Sequence, residues 1–155
     1  MGGHIMVQHP KRTLCFILFP MIATFAIQRV VLHHSPPDTH VFIGGYLVHH
    51  LFSGVLILVP TAFLLAFGIH HPRRRDLAHA LLGFSSAMVL DEVIYLVCTD
   101  GNGIAYRGPT SLWGAVLLLG GASFFLLAVS GWRGSARPNR LCSEQEIDDA
   151  PAEEA

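Results

Sequence analysis

Charge is scarce in this chain: only 14% of its 155 residues are Asp, Glu, Lys or Arg. That leaves too little polar surface to coat a water-soluble domain. With 52% hydrophobic residues and a mean hydropathy of +0.49, the composition is that of a membrane protein. Cysteine is sparse too. Cys15, Cys98 and Cys142 are too scattered for a disulfide framework, and no Cys-x-x-Cys spacing exists to hold zinc or carry redox chemistry. There is no useful internal repeat, and no basic patch interleaved with aromatics, which excludes a nucleic-acid partner from the reading.

What the chain does have is four apolar stretches, 14–32, 41–69, 77–98 and 112–132. Each is near the ~20 residues needed to cross a ~30 Å hydrocarbon core. Backbone amides in a bilayer must be satisfied internally, so these runs are expected to be helices, with Pro20 and Pro60 as kinks. Lys11-Arg12 ahead of the first run suggests a secretory signal. The run is too long for one and carries Gln28-Arg29, so it is read as a retained anchor. Short connections make the helices antiparallel neighbours, and the fold class is all-α: a transmembrane four-helix bundle, up-down-up-down.

The expected organisation is a cytoplasmic segment 1–12, one four-helix domain over 13–132, and a disordered acidic C-terminal tail over 133–155. Lys11, Arg12, Arg73, Arg74, Arg75, Arg133, Arg137 and Arg140 fall on one side of these spans and Arg29 and Arg107 toward the other. By the positive-inside rule both termini are cytoplasmic.

Two pairs of consecutive polar residues, His49-His50 and Asp91-Glu92, interrupt the apolar runs. With a second helix from Val41, His49 lies ~12 Å along it, and Asp91 lies ~10.5 Å from the Cys98 end of the third, at ~1.5 Å per residue. Both pairs then fall in the outer half of the bilayer, and Arg29 near the end of the first helix reaches the same layer. Helical spacing groups Tyr46, His49, His50, Ser53 and Gly54 on one face, and Ser85, Met88, Glu92, Tyr95 and Thr99 on another.

An ionised acid at the centre of a membrane helix costs about 2.5–3.5 kcal/mol on insertion scales, so Asp91 and Glu92 need compensation. A metal would supply it. His49, His50, Asp91 and Glu92, with His40 from the preceding loop, are donors suited to Zn or Fe. In that reading Glu92 and His49 carry the catalytic steps, as a base beside an open coordination position. Arg29, Tyr46, Tyr95, Asp100 and Arg107 are accessory, and the substrate is a lipid or other apolar molecule met by a metal-dependent membrane hydrolase or oxidoreductase. Adjacent helical residues project ~100° apart, which makes it hard to aim both histidines at one ion. A di-iron centre is disfavoured because Tyr95, not His, stands three residues after Glu92.

The second compensation is an ion pair of Arg29 with Asp91 or Glu92. The third is a proton or ion pathway, which so small a chain would build only as an oligomer or within a larger membrane complex. Both describe a non-catalytic subunit, with the small residues Gly114, Gly120, Gly121, Ala122 and Ser123 available to pack against a partner helix. Ser53, Ser85, Ser86 and Ser111 lack any nucleophile-elbow sequence and are read as packing residues.

The segments His49-His50-Leu51-Phe52-Ser53-Gly54, Leu90-Asp91-Glu92 and Tyr106-Arg107-Gly108 carry a resemblance. Over roughly 39–116 the chain resembles a family of small bacterial four-helix integral membrane proteins with a His-His-x-x-x-Gly helix and a Leu-Asp-Glu helix. The resemblance implies that the His pair and the acid pair form one site, in a bacterial inner (cytoplasmic) membrane, and implies no particular reaction.

Overall fold

The structure, a computed structural model, describes residues 10–35, 42–43, 46–47, 49–99 and 103–135. Helix α1 is Pro10–His34, α2 His50–Phe67, α3 Pro72–Cys98 and α5 Pro109–Ser135, with a single turn α4 at Gly103–Tyr106 and a short β1 (Phe42–Ile43) and β2 (Tyr46–Leu47) before α2. Four helices, Lys11–His34, His50–Phe67, Pro72–Cys98 and Pro109–Trp132, are each long and apolar enough to cross a membrane. The tail from 136 onward lies outside the described residues.

The helix boundaries follow local chemistry. Pro72 and Pro109 open α3 and α5, where a missing N–H costs nothing and φ is already helical. Gly68 ends α2 at φ +84°, a backbone conformation that L side chains rarely adopt. Helices α1 and α2 continue through Pro20 and Pro60.

The expected helix over 41–69 is corrected at its start. Phe42–Ile43 pairs antiparallel with Tyr46–Leu47, Ile43 opposite Tyr46, and α2 begins only at His50. Gly44-Gly45 separates the two strands in sequence, and such a dipeptide is favoured in two-residue hairpin loops and unfavourable inside a helix. Tyr46 and His49 therefore do not share a helical face with His50. His49 stands just outside the helix rather than ~12 Å along it.

Helix α3 is the spine, packed by α1, α2 and α5, and α1 also meets α5. Glycines let it be approached closely on three sides. A Cβ at Gly83 would strike the Ile17 backbone of α1, one at Gly114 of α5 would strike Ile94, and one at Gly54 of α2 would lie 2.9 Å from Met88 Cβ. Met21, Ala87 and Leu119 form a small buried core with Leu18, Phe25 and Leu90 around it. Thr24, Thr61, Ser85 and Ser111 are also buried, whereas Phe19, Leu56, Leu117 and Phe124 point outward. Small and polar residues inside with large apolar ones outside suit a protein solvated by lipid, where close backbone packing replaces the hydrophobic drive.

Candidate functional site

The expected helical stripe on α3 is present in part, since Ser85, Glu92 and Tyr95 are all buried. Asp91, one position aside, is buried as well, because α3 is enclosed on that flank by α1 and α5. The two acids face different neighbours. Asp91 turns to α1 and α4, and Glu92 turns to the start of α2.

Asp91 is 0% exposed and paired with Arg29, whose Nε donates to Oδ1 at 2.8 Å with Nη2 2.5 Å from the same oxygen. The guanidinium also donates to the carbonyl of Tyr106 at 3.3 Å and to the carbonyl and hydroxyl of Ser111 at 3.4 and 3.3 Å. It lies over the rings of Phe25 and Tyr106 at 5.5 and 5.0 Å. A planar fork with five donors fits this site, which gathers α1, α3, α4 and α5 around one cation.

The other Asp91 oxygen, Oδ2, accepts a hydrogen bond from the Tyr106 hydroxyl, which is itself 3.1 Å from His50 Nε2. With its O–H donated to Asp91, the phenol oxygen is left to accept from His50 Nε2–H, so the chain runs His50 to Tyr106 to Asp91. Burial, with the Asp91 carboxylate beside it, pushes the Tyr106 phenol above its usual range and keeps it an un-ionised donor.

Glu92 is nearly as buried, and one of its oxygens lies 2.5 Å from His49 Nδ1. Its other oxygen accepts the backbone N–H of Leu51 at 2.7 Å. Since His49 makes no side-chain cap for α2, the capping anion is supplied by α3 instead. A carboxylate at a helix N-terminus meets both unpaired N–H groups and the positive end of the dipole. His49 is extended at φ −78° and ψ 141°, and so the 100° divergence expected of adjacent helical residues does not apply. Its ring reaches Glu92 while His50, the first residue of α2, reaches both acids, 3.5 Å from Asp91 Oδ2 and 3.4 Å from Glu92 Oε2.

His49, His50, Asp91, Glu92 and Arg29 thus meet at one end of the bundle, with the Tyr95 ring packed between His49 (6.4 Å) and Tyr106 (4.8 Å). Arg107 is not part of the cluster: it donates to the Ser35 carbonyl and shares with Arg29 the wall of a separate cleft. His40, Asp100 and the side chain of Tyr46 lie outside the described residues. Tyr106, which the sequence offered only in the Tyr106-Arg107-Gly108 segment, Ser111, read there as a packing residue, and the Leu51 amide complete the network. Only their place just beyond span ends hinted at them.

The donor chemistry alone suits zinc or iron. Among the described residues, however, no group of three or more His, Cys, Asp or Glu side chains is arranged to hold a metal ion. Each carboxylate oxygen already takes a hydrogen bond from the protein, and the Arg29 guanidinium would stand beside any dication bound to Asp91. Nor do the described residues trace a polar line to the far end of α3. The Ser85 hydroxyl returns to the carbonyls of Leu81 and Leu82, and the buried His79 Nδ1 makes no hydrogen bond. No family model matches this chain, and no curated protein or solved structure proves similar to it.

Proposed function

We propose that the protein is a non-catalytic subunit of the bacterial inner membrane, its helices running up-down-up-down with both termini cytoplasmic, in which the His and carboxylate residues form an ion-paired centre that clamps the outer ends of the helices. The observation that carries this reading is the position of Arg29. A cation whose side chain is 14% exposed neutralises one acid, and His49 with the N-terminus of α2 takes the other. Compensation is therefore found within the protein, as two buried membrane acids require. Arg12 beside Asp76 at 2.6 Å and Arg29 beside Asp91 support the alternating helix directions, since both pairs join early to early and late to late positions of α1 and α3.

On this reading the lipid-facing surface does the recognition. Gly120 and Gly121 of α5 have no atom within 4 Å of where a Cβ would stand, which leaves a small-residue face for a partner helix. The competing reading is a Zn or Fe enzyme for a lipid or apolar substrate, favoured by two imidazoles and two carboxylates lying within hydrogen-bonding reach of one another.

Metal content of detergent-purified protein, measured by mass spectrometry beside the His49→Ala/His50→Ala variant, separates the two. An ion-paired centre predicts no stoichiometric metal in either protein and lower resistance to unfolding in the variant. About one Zn or Fe per chain, lost in the variant, would establish the metal site instead.

A further inference from the structure

A cleft of about 190 Å³ lies on the far side of Arg29, lined by Arg29, Leu32, His33, Arg107 and Leu112. Among the described residues its lining has two guanidiniums and an imidazole but no acid, and two leucines supply apolar walls. Arg29 has spent most of its donors on Asp91, Tyr106 and Ser111. Arg107 is exposed, donates to the Ser35 carbonyl, and has no acidic partner among the described residues. A positive charge in a concave site with no counter-ion is an attraction for an anion.

Depth decides which anion. Leu32 and His33 stand in the last turn of the Lys11–His34 span, and Leu112 stands in the first turn of the Pro109–Trp132 span. The cleft is therefore at the level where two membrane helices leave the hydrocarbon. Below it, α1 and α5 pack together, and Ile27, Val31, Leu112 and Val116 offer exposed apolar side chains on these two helices. A cationic mouth above an apolar inter-helix surface has the chemistry of an amphiphile site.

We infer that this cleft binds the phosphate headgroup of an anionic membrane phospholipid, with Arg107 as its principal cation and the acyl chains lying along α1 and α5. The inference rests on the chain being membrane-embedded but not on how the His49 centre is read.

Trp113, exposed and next to Leu112, reports on the site, and Trp132→Phe leaves it the only indole in the chain. That variant is reconstituted in vesicles carrying either chain-brominated phosphatidylglycerol or chain-brominated phosphatidylcholine, and Trp113 quenching is compared. Phosphatidylglycerol should be preferred by about five-fold for the free cation engaged. Arg107→Gln should abolish the preference and Arg107→Lys should retain it. His33→Glu, which sets an anion in the cleft, should lower it independently, and Arg74→Gln at the start of α3 should leave it intact. Equal quenching by the two lipids, or a preference that survives both Arg107→Gln and His33→Glu, would overturn the inference. So would full displacement of phosphatidylglycerol by inorganic phosphate, which would make the ligand a soluble anion.

Discussion

Leu51 donates its backbone N–H to Glu92 across the α2–α3 interface, so one helix begins on a carboxylate held by another. Helix α2 is thereby fixed in register against α3 by a charged contact in addition to packing. Removing the charge while keeping the shape, in Glu92→Gln, should weaken both this bond and the pairing with His49. The expected loss is about 1–3 kcal/mol, typical of leaving a buried acceptor poorly matched. Detergent-induced unfolding followed by circular dichroism measures it, and a variant as stable as the parent would rule out the capping role.

Arg29 and Asp91 should behave as a coupled unit. Replacing either alone, as Arg29→Met or Asp91→Asn, leaves a buried charge uncompensated and should cost about 3–5 kcal/mol. The double variant should cost less than the sum of the two, and a double-mutant cycle in the same unfolding assay gives the coupling directly. Strict additivity would mean that the pair is not a structural unit.

Two glycines should respond to the same added methyl with unequal losses. Gly83→Ala drives a Cβ into the Ile17 backbone and should destabilise by about 1–3 kcal/mol, because the atoms it meets are backbone and cannot rotate aside. Gly120→Ala meets nothing within 4 Å and should stay within about 0.5 kcal/mol of the parent. Similar effects at the two sites would contradict the close approach of α1 to α3.

The Tyr106 phenol should remain un-ionised well above the ordinary tyrosine range of ~10. Because its folded value is raised, its contribution is fully present below ~10 and is lost as pH rises further, when the unfolded chain ionises first. Ultraviolet difference titration of the parent against Tyr106→Phe should show no extra tyrosinate near pH ~10 in the parent. An ordinary titration there would place Tyr106 in water rather than against Asp91.

The four spans were legible in the sequence because apolar runs of membrane length have few other uses. The start of α2 was not, since the stretch from Val41 to Val48 is apolar enough to extend the helix, and only Gly44-Gly45 argued otherwise. That boundary mattered for the site: a helical His49 would point away from His50, whereas an extended one converges on Glu92. Arg29 was legible as a compensating charge from its place near a span end. Tyr106 and Ser111 contribute hydroxyls and carbonyls from the α4–α5 segment, and neither leaves a periodic trace. The Leu51 amide has no side-chain signature at all.

The chain order of the Arg29, His49, His50 and Asp91-Glu92 contacts bears on biogenesis. Synthesis proceeds from the N-terminus, so Arg29 and both histidines emerge before α3 does. The two acids are therefore made after Arg29, His49 and His50, the groups that meet them, and Tyr106 and Ser111 follow with α4 and α5. Insertion of α3 is then expected to be helped by α1 and α2. A ribosome-bound chain lacking the first span would be expected to deliver its third helix to the membrane poorly, even though that helix is apolar enough to cross by itself.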